Sequence, residues 1–139
     1  MTTIQQFINN VVDNVDGIES VTISDREGVE IISSSSTQSN NKITDEVESD
    51  EQILTTIFSL TSDQCTKLPE FGPCSFVIAG YGDGKQLLQA TDSPLVITIM
   101  ADTHEIDRRN LIGVLEDVKI ALKEMRMMFD QQQQPQYNN

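Results

Sequence analysis

Ile4, Phe7, Ile8, Val11, Val12 and Val15 recur at steps of three and four residues. That spacing lines one face of a helix and predicts an amphipathic segment from about Thr3 to Asn14. Asp16-Gly17 ends it. From Ile18 to Ser24 the pattern changes to alternation, with Val21 and Ile23 on one side and Thr22 and Ser24 on the other, as in a half-buried strand. A charged tip, Asp25-Arg26-Glu27, precedes a second apolar run from Gly28 to Ser33 that carries Val29, Ile31 and Ile32. Two such runs joined by a short segment with a glycine at its end predict a hairpin. Gly28 is placed to adopt the left-handed conformation that closes a type I turn with a bulge.

The pattern then lapses. Ser33 to about Asp50 is rich in Ser and Asn, then acidic, with Ile43 and Val47 as its apolar residues. So little apolar surface does not offset the entropy of ordering, which predicts a flexible insertion. Ser49 and Gln52 have the spacing of a capping box. They open a helix expected from Asp50 to about Thr66, with Ile53, Ile57 and Leu60 on one face and Leu54 and Phe58 on another. Pro69, Gly72 and Pro73 mark a connection. Cys74 to Tyr81 is expected as a strand with apolar residues on both faces, Phe76 and Ile78 alternating with Val77 and Ala79. Gly82-Asp83-Gly84 turns the chain into a strand from Lys85 to Ala90. Thr91-Asp92-Ser93 is read as the next turn, and Pro94 to Met100 as the last strand. Leu111, Leu115, Val118, Leu122, Met125 and Phe129 alternate steps of four and three, which predicts a long helix starting near Asp107. Gln131 to Asn139 reads as a disordered polar tail.

The expected order is α-β-β-α-β-β-β-α. Short links between successive strands favour a five-stranded, largely antiparallel sheet in an α+β fold. Strands apolar on both faces need cover on both sides. Three helices supply it as α/β/α layers, two on one face and the middle helix on the other. The 139 residues suit one domain, spanning 1–130 with the insertion at about 33–50 and the tail at 131–139.

Charge narrows the possible partners. Nine Lys and Arg against 22 Asp and Glu give a net charge of −13, which opposes binding to nucleic acid or an anionic lipid surface. No apolar run reaches the roughly 18 residues of a membrane span. Met1-Thr2-Thr3-Ile4 lacks the basic segment and apolar stretch of a secretory signal, and Thr2 stands where myristoylation needs glycine. Cys65 and Cys74 are therefore expected as free thiols in a cytosolic setting.

Catalytic patterns do not assemble. His104 is the one histidine, and neither cysteine sits in a nucleophile motif. Two cysteines with eight residues between them and a distant histidine do not make a zinc site. Gly80 to Gln86, "GYGDGKQ", has Ala79 where a phosphate loop needs its first glycine and Gln86 where it needs a hydroxyl. The acidic run of Asp45, Glu46, Glu48, Asp50 and Glu51 lacks the central glycine of a calcium loop. No cofactor or metal is expected, and the chain is read as a non-enzyme. The surplus apolar face of the middle helix points instead to a partner subunit.

Three stretches carry a resemblance: Val15 to Ile32 ("VDGIESVTISDREGVEII"), Thr61 to Leu68 ("TSDQCTKL") and Ser93 to Asp102 ("SPLVITIMAD"). With the element order, they resemble the roadblock family of dynein-light-chain-type domains. Within it they resemble the MEK-partner scaffold branch that serves the Ragulator complex, over about residues 3 to 130. The resemblance implies a profilin-like roadblock fold and a scaffold that pairs as a heterodimer with another roadblock subunit. It also implies a larger Ragulator-like assembly, Rag-type GTPases, and a MAP kinase kinase and MAP kinase as partners. The location it implies is the cytosolic face of late endosomes and lysosomes, reached through those partners. A homodimeric roadblock light chain or small-GTPase co-regulator is the alternative. The resemblance implies pairing through the middle helix and the third strand, with Leu54, Ile57, Phe58, Thr61, Phe76, Val77 and Ile78 as candidate interface residues. Asp25, Arg26 and Glu27 are the candidate exposed hairpin tip.

Overall fold

Thr3 opens the first helix by reciprocal capping. Its Oγ1 accepts from the Gln6 amide at 3.1 Å, and its own amide donates to Gln6 Oε1 at 3.0 Å. Two donors that the helix leaves unpaired are thereby satisfied. The computed structural model describes residues 3–36, 57, 60–61, 63–92 and 94–133. Helix α1 (Ile4–Asn14) buries Ile4, Ile8, Val11 and Val12, as the periodicity requires. It is followed by β1 (Ile18–Asp25) and β2 (Glu30–Ser35). Helical backbone at 57, 60–61 and 63–66 is the described part of the middle helix, α2. Then come β3 (Phe76–Gly80), β4 (Lys85–Asp92), β5 (Leu95–Asp102) and α3 (Arg108–Gln133).

The five strands form one antiparallel sheet in the order β2-β1-β5-β4-β3. The pairs β1–β2, β3–β4 and β4–β5 are hairpins, β5 also pairs with β1, and β2 and β3 lie at opposite edges. One face carries Val21, Ile23, Leu88, Ala90, Ile97, Ile99 and Ala101. Helices α1 and α3 close over it, with Leu111, Leu115, Val118 and Leu122 fully inside. The opposite face is mixed. Leu87 and Val96 are buried there beside Thr22, Ser24, Gln89 and Thr98. Gln89 Nε2 donates to Thr98 Oγ1 at 3.1 Å, whereas Ser24 Oγ is buried with no hydrogen-bond partner.

Several boundaries differ from those expected: β3 is shorter, Phe76–Gly80 rather than Cys74–Tyr81, and β5 runs on to Asp102 rather than ending at Met100. Strand β2 starts at Glu30 and continues through Ser33, Ser34 and Ser35, which lie opposite Thr22, Val21 and Ser20. Serine is a weak strand former, but ladder pairing to a buried neighbour overrides local preference. Thr91 and Asp92 belong to β4, with Asp92 opposite Leu95. The turn is therefore tighter than the sequence suggests, and Pro94, whose ring fixes φ, stands in it. Helix α3 runs to Gln133, so Gln131–Gln133 are helical and not part of an irregular tail. Glutamine is a good helix former, and each residue added to an existing helix gains a hydrogen bond. The insertion from Thr37 to Asp50, the capping box at Ser49 and Gln52, and Leu54 and Phe58 lie outside the described residues.

Candidate functional site: the third strand and the middle helix

Strand β3 is an edge of the sheet. Among the described residues it pairs with β4 alone, Phe76 opposite Ala90 through Gly80 opposite Gln86. An edge presents a row of backbone donors and acceptors to any strand that can reach it. Phe76 and Ile78 are half-buried and pack against the core below. Val77, half-buried, lies on the other face with Ala79. Of the candidate interface residues, these three are thus held on one short strand and split between its faces.

Among the described residues of α2, two apolar side chains are exposed. Ile57 is 52% exposed and Leu60 64% exposed, while Thr61 is half-buried. The face with Ile57 and Leu60 is therefore turned to solvent in the isolated chain. Beyond α2, Leu68 and Phe71 are also exposed, Phe71 at 77%, and Tyr81 is exposed just after β3. Pattern reading treats residues 67–73 as a connection and passes over these two apolar side chains. Their signal is an aromatic and a leucine inside a Pro/Gly segment that has no core to fill.

The connection is tied at both ends. Leu68 N donates to Cys65 O at 3.3 Å and Phe71 N to Leu68 O at 3.3 Å. Cys74 N donates to Thr66 Oγ1 at 3.2 Å, which fixes the start of the β3 segment to the end of α2. Cys65 and Cys74 are both free. Burial raises the Cys74 thiol pKa above its ordinary value, and the neighbouring Cys65 raises it further. Among the described residues, no group of three or more His, Cys, Asp or Glu could hold a metal ion. No helix there is long and apolar enough to cross a membrane.

The hairpin tip is built by one carboxylate. Asp25 Oδ1 accepts from Glu27 N and from Val29 N, each at 2.9 Å. Gly28 N donates to Asp25 O at 3.1 Å, and Gly28 has the positive φ of +91° that the turn requires. Asp25 is half-buried, whereas Arg26 and Glu27 are exposed. Arg26 Nη2 stands 4.0 Å from Asp63 Oδ1, so the tip reaches α2. Both side chains are well exposed, and such a pair adds little stability. The turn at Gly82–Gly84 is a tight 3-10 corner with Asp83 at φ +67°, a hairpin corner and not a phosphate cradle. His104 lies against Gly84, where a Cβ would stand 2.6 Å from its Nε2.

Comparison with known proteins agrees with this architecture. A family model described as mitogen-activated protein kinase kinase 1 interacting matches residues 2–129. A roadblock/LC7 domain from Streptomyces avermitilis superposes with a TM-score of 0.72 at 14% identity, covering 91% of this chain and 99% of that one. MglB from Myxococcus xanthus follows at 0.69 and 14%, covering 90% and 95%. The gliding protein MglB from Thermus thermophilus gives 0.66 and 12%, covering 86% and 85%. No curated protein matches the chain. With a roadblock fold and a family match over nearly its whole length, the chain belongs to the mitogen-activated protein kinase kinase 1 interacting family, a roadblock-type group of small adaptors.

Proposed function

We propose that this protein is a non-enzymatic adaptor that pairs with a second roadblock subunit through the β3 edge and the outward face of α2. The observation that carries the reading is the exposure of Ile57 and Leu60 on α2 together with an unpaired edge on β3. A partner strand along β3 would extend the sheet, and a partner helix would cover Ile57 and Leu60. Both liabilities of the isolated chain are met by one contact. Phe76, Val77 and Ile78 then lie along the strand edge, Ile57 and Thr61 on the helix, and Leu54 and Phe58 are assigned to the same interface by resemblance. The family description supports a MAP kinase kinase as a partner. The finer part of the proposal is a Ragulator-like assembly on late endosomes or lysosomes that binds Rag-type GTPases and supports TOR and MAP kinase signalling. It rests on the sequence resemblance.

Ile57→Asp and Leu60→Asp test the interface. Both side chains are exposed, so the isolated variants are expected to keep the wild-type circular dichroism and melting curve. Each is expected to lose a co-expressed roadblock partner in a pull-down. A folded double variant that retains its partner normally would overturn the assignment of this face.

A further inference from the structure

The end of α2 and the approach to β3 bring two thiols together. Cys65 lies in the last turn of α2, and Cys74 lies two residues before β3. Eight residues separate them, and that segment folds back on itself. Leu68 N donates to Cys65 O, and Phe71 N donates to Leu68 O, both at 3.3 Å. Cys74 N then donates to Thr66 Oγ1 at 3.2 Å, which tethers Cys74 to the residue next to Cys65. Pro69 and Pro73 fix two φ angles within the segment. The two thiols act on one another: the charge and the hydrogen bonding of Cys65 both raise the Cys74 pKa. Their settings differ. Cys65 is exposed, Cys74 is half-buried, and every residue from Thr66 to Pro73 is exposed.

We propose that Cys65 and Cys74 form a reversible disulfide, with glutathione disulfide as the oxidant, and that the closed ring clamps residues 66–73 between α2 and β3. The exposed Cys65 reacts first. Its thiolate attacks glutathione disulfide, a Cys65–glutathione bond forms, and one glutathione leaves. Cys74 then gives up its proton and attacks the Cys65 sulfur, and the second glutathione leaves as the ring closes. Two protein thiols are oxidised, one glutathione disulfide is reduced to two thiols, and the two protons end on those thiols. Excess reduced glutathione runs the steps backwards. The tether at Thr66 has already brought the ends of the segment together, so ring closure avoids much of the entropy that an open loop would lose. The inference stands apart from pairing with a second subunit, because it concerns two thiols of one chain.

Intact mass spectrometry of the whole 139-residue chain tests this after equilibration with mixtures of reduced and oxidised glutathione and an acid quench. The wild type is expected to end as a monomer lighter by two hydrogens, and excess reduced glutathione is expected to restore its mass. Cys74→Ser is expected to stop at a glutathione adduct on Cys65. The folded chain is expected to close its ring at a lower proportion of oxidised glutathione than the same chain in urea, because native geometry favours the bond. Thr66→Val removes the tether and is expected to shift that midpoint towards the value in urea, with an unchanged circular dichroism spectrum. Trypsin is expected to cut after Lys67 more slowly in the ring than in Cys74→Ser treated alike, since cleavage needs local opening of the segment. The proposal is overturned by a glutathione adduct as the wild-type end product, by disulfide-linked dimers, by a folded midpoint no lower than that in urea, by an unshifted midpoint in Thr66→Val, or by equal cleavage after Lys67.

Discussion

Gly17 sits under Ile106. A Cβ added to Gly17 would stand 2.7 Å from both Cβ and Cγ2 of Ile106, and 3.0 Å from its backbone nitrogen. Gly17 also has φ +93°, and its carbonyl accepts from Asp102 N at 2.8 Å. Helix α1 has already ended at its C-cap, Val15; Gly17 turns the chain into β1 and lets the β5–α3 connection close over the end of the sheet. Gly17→Ala combines a strained backbone with an overlap inside the core. A loss of about 2–4 kcal/mol is expected, read as a lower midpoint in urea unfolding with an unchanged slope. An unchanged midpoint would show that the connection relaxes freely.

Asp25 holds the first hairpin through two backbone amides, and its neighbours do not. Asp25→Ala is expected to cost about 1–2 kcal/mol, in the range of a lost capping interaction. Asp25→Asn keeps an acceptor oxygen and is expected to cost less. Arg26→Gln and Glu27→Gln are expected to stay within about 0.5 kcal/mol of wild type. Thermal melts of the four variants check the order. Equal effects at all three positions would contradict this division of roles.

Ser24 presents the opposite case. Its hydroxyl is buried at 2% exposure without a partner, so it contributes a desolvation cost and no bond. Ser24→Ala removes the cost with little change of volume and is expected to stabilise the fold by up to about 1 kcal/mol. A destabilised variant in denaturant unfolding would mean that the hydroxyl is bonded in solution.

Lys85 links β4 to Glu19 of β1 through an ion pair. The hydrogen bond to Glu19 raises the lysine pKa above its ordinary 10.5, against a smaller opposing effect of burial. A raised lysine pKa stabilises the fold below the unfolded value, and that stabilisation is lost as pH rises through the folded value. The window is therefore alkaline, above about pH 10.5. Both side chains are more than a third exposed, so the effect is small. Lys85→Met is expected to flatten the fall in melting temperature above that pH and to leave neutral pH nearly unchanged. An identical alkaline slope in the variant would remove Glu19 from the account.

Much of this architecture was legible in the chain because local pattern and tertiary role coincide. Ile4, Ile8, Val11 and Val12 repeat with a helical period and are buried together. Gly28 ends a charged tip and takes the positive φ that such a hairpin needs. Ser34 and Ser35 were not legible as strand, because their pairing depends on β1 and not on their own preferences. The site was legible as elements rather than faces. Periodicity marks α2 as apolar on two sides, yet only the packed structure turns Ile57 and Leu60 outward. Phe71 was missed because a connecting segment has no period to violate.

The pairing claim is tested most directly by native mass spectrometry of the protein purified after co-expression with a second roadblock subunit. The account predicts one species at the summed mass of the two chains, and separate chains when Leu60→Asp replaces the wild type. A wild-type protein that stays monomeric beside its co-expressed partner, or forms a clean homodimer instead, would contradict it.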